Sequence, residues 1–187
     1  MENFADLYSD YLISSSSYAT STGMANLLSI KHDKITRELS NGDYDSKFLW
    51  KQSKVYVKEL TQSKELITLS FDDSIEEKRY TDESELHCWH FDHTFGKSVR
   101  GVNFLTALIE VGTMRLPCAV EFVKKDLWKK DPKTGKEKRK SSVSKNELFR
   151  KMLRECNGKF RFDYVLADSW YSPNEHLNCC KKELNND

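Results

Sequence analysis

Apolar positions in this 187-residue chain recur first at helical spacing and then, beyond Lys64, in alternation. From Asn3 to about Gln62 they fall at Phe4, Leu7, Tyr8 and Tyr11, at Met24, Leu27 and Leu28, at Ile35 and Leu39, and at Phe48, Leu49, Tyr56 and Leu60. Those spacings predict three or four short amphipathic helices. Ser14 to Ser17 and Asn41-Gly42-Asp43 punctuate them as loops or caps.

The alternating part opens with a strand over Leu66 to Asp72, and Cys88 to His93 reads as a second strand closing at Gly96. Val102 to Val111 is apolar on both faces, which predicts a strand in the middle of a covered sheet. Leu116 to Val123 is a further strand, with Pro117 near its start, where a missing N–H does least harm. Ser144 and Glu147 form a capping box, so Lys145 to Cys156 should be a helix presenting Leu148, Phe149, Met152 and Leu153 to the core. A strand from Phe160 to Asp168 follows, and Ser172-Pro173 opens a last helix through Leu177.

This order predicts an α/β fold: a mixed sheet over residues 63–187, preceded by a small all-helical region over residues 1–62. The handedness of the helical crossover places the last strand beside the first. Asp72-Asp73 and Asp168, each at a strand end, then meet at one carboxyl edge, where open α/β sheets hold their ligands. Adjacent carboxylates repel, and a divalent cation between them removes that penalty. Oxygen ligands favour Mg²⁺ or Mn²⁺ over zinc. The bland reading is that both aspartates merely cap the segments that follow.

Charge changes the picture only locally. The net charge is +1, but residues 124–140 hold nine basic residues against three acidic ones. This basic insertion is either a phosphate-contacting element, through Lys136, Lys138, Arg139 and Lys140, or a solvated hairpin tip. Thr22 to Leu28 and Asp33 to Leu39 match a helix-turn-helix with Lys34, Thr36 and Arg37 exposed on its second helix, or else a plain pair of packed helices. His87, Cys88, His90, Asp92 and His93 look like a zinc cluster, yet strand alternation splits them between two faces. His90 or His93 is better placed to line a cleft and touch DNA, or to be a hydrogen-bonded structural histidine. Five cysteines in no regular framework point to free thiols in a reducing compartment. No run is long and apolar enough to span a membrane, and a soluble cytoplasmic protein is expected.

Three blocks carry a family likeness: Leu69 to Lys78, Trp89 to Asn103, and Leu166-Ala167-Asp168-Ser169-Trp170-Tyr171. In combination and order they resemble bacterial insertion-sequence transposases of the DDE class, which have a ribonuclease-H-like core. The likeness extends to Asp33 to Arg37 and Asp45 to Trp50. It implies that Asp73 is the first catalytic aspartate, with Asp72 as the alternative, and that Asp168 is the second. It also implies Mg²⁺, with Mn²⁺ as a substitute, and DNA as partner, both transposon ends and target. A homo-oligomeric transposition complex and a location at the bacterial nucleoid follow from the same likeness, with no membrane and no small-molecule substrate. The family's third acid is a glutamate preceded by spaced Tyr and Arg, and neither Glu175 nor Glu183 sits in that arrangement. The chain is therefore expected to be the N-terminal part of a transposase, with a ribonuclease-H-like sheet incomplete at its C-terminus, and inactive as it stands. The alternative is a catalytically dead DNA-binding protein that inhibits transposition.

Overall fold

The computed structural model describes residues 4–16, 18–132, 134–168 and 171. It divides into two compact units, Met1–Tyr44 and Asp45–Asp187. The first unit holds helices α1 (Phe4–Ser14), α2 (Ser21–Leu28) and α3 (His32–Asn41). Met24, Ala25 and Ile35 are buried at its centre, packed by Phe4, Leu7, Tyr8, Tyr11 and Leu39. Thr20 caps α2 by accepting a hydrogen bond from the Gly23 N–H. Gly23 has a specific reason to be glycine: a Cβ there would lie 2.5 Å from the Tyr11 hydroxyl, which donates to the Thr20 carbonyl. Ser29 adopts the left-handed conformation, with φ of 52°, and the Ile30 N–H returns to the Ala25 carbonyl, so α2 stops sharply before α3.

The second unit begins with helix α4 (Ser46–Leu60), capped by the Asp45 carboxylate. The expected boundary at residue 62 is therefore misplaced, because α4 belongs to the sheet's own core. Val57 is fully buried there, and Trp50 stacks on Phe160 at 5.9 Å. Amphipathic spacing announces that a helix has a core to face, not which core.

The rest of the unit comprises β1 (Ile67–Glu77), β2 (His87–Asp92), β3 (Lys97–Val111), β4 (Met114–Phe122), β5 (Leu127–Lys130), β6 (Glu137–Lys140), α5 (Lys145–Asn157) and β7 (Tyr164–Ala167). Strand β3 is the spine. One edge pairs antiparallel with all of β1, from Ile67↔Val111 to Glu77↔Gly101. The other edge pairs first with β2 and then with β4. Strand β7 runs parallel to β1 on its far edge. The adjacency predicted for first and last strands is thus present, and the mixed sheet is of the ribonuclease-H-like α/β kind.

Helix α5 starts at the predicted capping box, with Ser144 Oγ accepting from the Glu147 N–H. It buries Leu148, Phe149, Met152, Leu153 and Cys156 against Ile67, Leu69, Phe71, Leu105 and Ile109. Only this face of β3 is fully buried; the intervening positions Phe104, Thr106, Leu108 and Glu110 are half-buried. The expectation of a sheet covered on both faces is therefore not met among the described residues.

Strand β1 is longer than its apolar run, since its ladder with β3 carries it past the aspartates to Glu77. Strand β7 is shorter than predicted: Phe160 and Phe162 turn inward as core plugs. Asp163 then clips the start of β1, its Oδ2 accepting from the Ile67 N–H at 2.8 Å. Pro117, which lacks an N–H, lies at a register break in β4, where Cys118 bulges out of the ladder. Cys88, Cys118 and Cys156 are buried free thiols. No helix of the described residues is long and apolar enough to cross a membrane. The helix expected from Ser172-Pro173, and Glu175 and Glu183 with it, lie outside the described residues.

Candidate active site

The β1–β7 ladder ends at Phe71↔Ala167. One residue further, Asp168 leaves β7 while β1 continues through Asp72 and Asp73, so the two strands fork at their acids. A cleft of about 960 Å³ opens over the fork, bordered by Asp72, Asp73 and Asp168 and also by His90, Asp92, Asn103 and Lys125.

Alternation places Asp73 on the face of Ile67, Leu69 and Phe71, the face that α5 covers. There it forms an ion pair with Lys145, the first residue of α5. Asp72 is exposed, and its backbone carbonyl meets the Thr106 hydroxyl. Beneath the acids, Phe71 meets Phe149 edge-on at 4.7 Å, and Phe149 stacks on Tyr171 at 5.1 Å. The Tyr171 N–H donates to the Asp168 carbonyl, so the turn after β7 ties the phenol to the acid. The Tyr171 hydroxyl is buried without a hydrogen-bond partner. Burial above all, and then the negative charges of Asp73, Asp72 and Asp168, push its pKa well above the usual phenol range. All three carboxylates therefore act on one buried atom.

This donor set is compatible with a hard divalent cation. Mg²⁺ is commonly held by one or two carboxylates, with water and phosphate oxygens completing its shell. Lys145 shows that Asp73 already accommodates a cation on that side. Among the described residues no group of three or more His, Cys, Asp or Glu side chains is arranged to enclose a metal ion.

Cationic and neutral groups also border the cleft. Lys125 reaches across β2 to donate to the Trp89 carbonyl, and burial lowers its pKa. His90 is buried and 3.3 Å from the Cys88 thiol. Burial, followed by the charges of Lys125 and Lys145, lowers its pKa to about 4, so it is neutral at pH 7. His87 is buried with both ring nitrogens facing backbone carbonyls, those of Asp82 and Lys78, which removes it from any zinc cluster. His93 borders the cleft with its ring edge-on to Phe91.

The remaining sequence candidates lie elsewhere. The basic insertion is an antiparallel hairpin of β5 and β6. Arg139 there is spent internally, 3.1 Å from Glu83 and over the Trp128 ring. Lys138 pairs with Asp131. Lys136 and Lys140 are exposed. Lys34, Thr36 and Arg37 are exposed on α3, with the Thr36 hydroxyl bonded back to the His32 carbonyl. Sequence reasoning missed Lys145, Lys125, Asn103 and Tyr171 as site residues. The only local signals were an asparagine inside an apolar strand and a tyrosine inside the Asp168 block.

A forked mixed sheet with acids at the fork defines a ribonuclease-H-like nuclease core. The family model of the DDE superfamily endonucleases matches residues 2–186, and the chain belongs to that family. Endonucleases of this superfamily act on DNA and typically use divalent metals. No curated protein and no solved structure matches the chain.

Proposed function

We propose that this chain is the DNA-cutting and strand-transferring part of a transposase, with Asp73 and Asp168 as its first two catalytic acids. The observation that carries the reading is the fork, which sets acids from adjacent parallel strands at one cleft. Asp73 is preferred to Asp72 because it lies on the α5 face and already holds a cationic partner. Asp73 and Asp168 would hold Mg²⁺, or Mn²⁺ in its place, and the metal's chemistry is to activate an attacking oxygen and stabilise a leaving one on phosphorus. Lys145 pairs with Asp73 and orients it, Tyr171 and Phe149 pack beneath Asp168, and Lys125 offsets phosphate charge. Exposed Lys34 and Arg37 on α3, together with Lys136 and Lys140, are proposed DNA contacts outside the cleft, and His93 one at its rim. Assembly on transposon ends would bring two or more copies together.

A second reading is a DNA-binding protein that does not cut and so inhibits transposition. It is favoured by Lys145, whose ammonium occupies the Asp73 carboxylate that a metal would need. Nicking of supercoiled DNA with Mg²⁺ or Mn²⁺ separates the two. Cleavage that is lost in Asp73→Ala and Asp168→Ala but kept in Asp72→Ala supports the enzyme; DNA binding with no metal-dependent cleavage supports the inhibitor.

A further inference from the structure

Asn103 does not match its surroundings. It lies in the apolar run of β3 at 1% exposure, and neither its amide nitrogen nor its amide oxygen has a hydrogen-bond partner. Leaving such a group buried and unpaired is destabilising, whereas an apolar side chain of similar shape carries no such penalty. Its backbone carbonyl is already used, accepting from the Val123 N–H at 2.9 Å. What remains is an amide beneath the cleft, on the face it shares with Asp73 and His90.

Lys125 borders the same cleft. The Trp89 carbonyl takes one of its three N–H groups. No carboxylate of the described residues lies within ion-pair distance of it, whereas Lys145 is committed to Asp73. His90, neutral between them, adds no charge. Beside the acids the cleft thus offers one ammonium and one uncharged N–H₂ group. A DNA strand entering the cleft must carry its phosphates past the carboxylates of Asp72, Asp73, Asp92 and Asp168, and these two donors are where that charge meets a favourable partner.

We propose that Lys125 and Asn103 form a subsite for one backbone phosphate of the DNA strand in the cleft, the ammonium supplying charge and the Asn103 amide a directed hydrogen bond. The subsite rests on the nuclease reading above.

The test uses the full chain, a fluorescent 20-base-pair duplex of arbitrary sequence, and EDTA to prevent cleavage, with affinity measured from low to moderate salt. Lys125→Met should reduce the slope of log affinity against log salt by about 0.9, the loss of one phosphate contact. Asn103→Leu should weaken binding about tenfold at every salt concentration without changing that slope, while its melting temperature stays level or rises. A purely structural Asn103 gives the reverse, a lower melting temperature with unchanged binding. Wild-type affinity and slope in either variant overturn the subsite alone. A wild-type chain that fails to bind the duplex at any salt overturns the nuclease reading along with it.

Discussion

Lys145→Met separates the charge of the ammonium from its stem and bears most directly on the acids. In contact, two unit charges attract by about 4 kcal/mol at an effective dielectric of about 20. Both side chains are a little under a third exposed, 29% for Lys145 and 28% for Asp73. Screening and the ordering of a long side chain then leave about 1–2 kcal/mol. A divalent cation that takes Asp73 as ligand must displace that ammonium, so removing it should tighten Mn²⁺ binding by about 5- to 30-fold. The signal of free Mn²⁺ in electron paramagnetic resonance, followed through a titration, measures this without any turnover. In EDTA the same variant should be less stable than wild type by about 1 kcal/mol in urea denaturation, because Asp73 loses its partner. Mn²⁺ affinity that is unchanged or weaker in Lys145→Met would refute the reasoning, since it would mean that Lys145 supports the metal position instead of competing for it.

Gly101→Ala should cost about 1–3 kcal/mol as an overpacking change, because its Cβ would sit 2.2 Å from the Glu76 carbonyl oxygen; a melting temperature within about 1 °C of wild type would show that β1 yields freely. Replacing Lys136 and Lys140 with alanine should flatten the salt slope of DNA binding by about 1.8 if each meets a phosphate. Arg139→Ala should instead alter Trp128 fluorescence and loosen the hairpin, since its guanidinium lies 4.4 Å from that ring. His90 gives a pH prediction. Its pKa falls from 6.5 to about 4 on folding, so the unfolded chain binds the proton more readily. The stability it supports is complete above about pH 7 and is lost as pH falls from 6.5 towards 4, by up to about 3 kcal/mol. Urea melts at pH 5 and pH 7 should therefore differ by less in His90→Gln than in wild type.

What was legible in the sequence is what local physics decides. Ser144 and Glu147 announce the start of α5 because a capping box is complete within four residues. Alternation alone places Asp73 with Leu69 and Phe71. The adjacency of Asp73 and Asp168 followed from crossover handedness. What escaped depends on distant partners. Strand β1 does not stop at Asp72, because β3 holds it through Gly101. Lys145 reads as the polar first residue of a helix, and only the packed sheet brings it to an aspartate 72 positions away. Arg139 reads as one more hairpin cation until Glu83, 56 positions earlier, takes it. Helix α4 carries the same periodicity whichever unit it joins. Family likeness pointed to the acids, but it gave no hint of Lys125 and Asn103 beside them in the cleft.

The fork also fixes when the site can exist. Asp163 meets the Ile67 amide across 96 residues of chain, and the ladder beyond it has only four register pairs. Closing so long a loop for so short a ladder is favourable only after β3, β4 and α5 have already brought the ends together. During synthesis, Asp73 must therefore wait for nearly the whole sheet to emerge before Asp168 can join it. Once joined, the Tyr164–Ala167 amides should exchange with solvent at a lower free energy than those at the centre of β3, so the two acids can part and re-form their edge while the rest of the sheet stays folded.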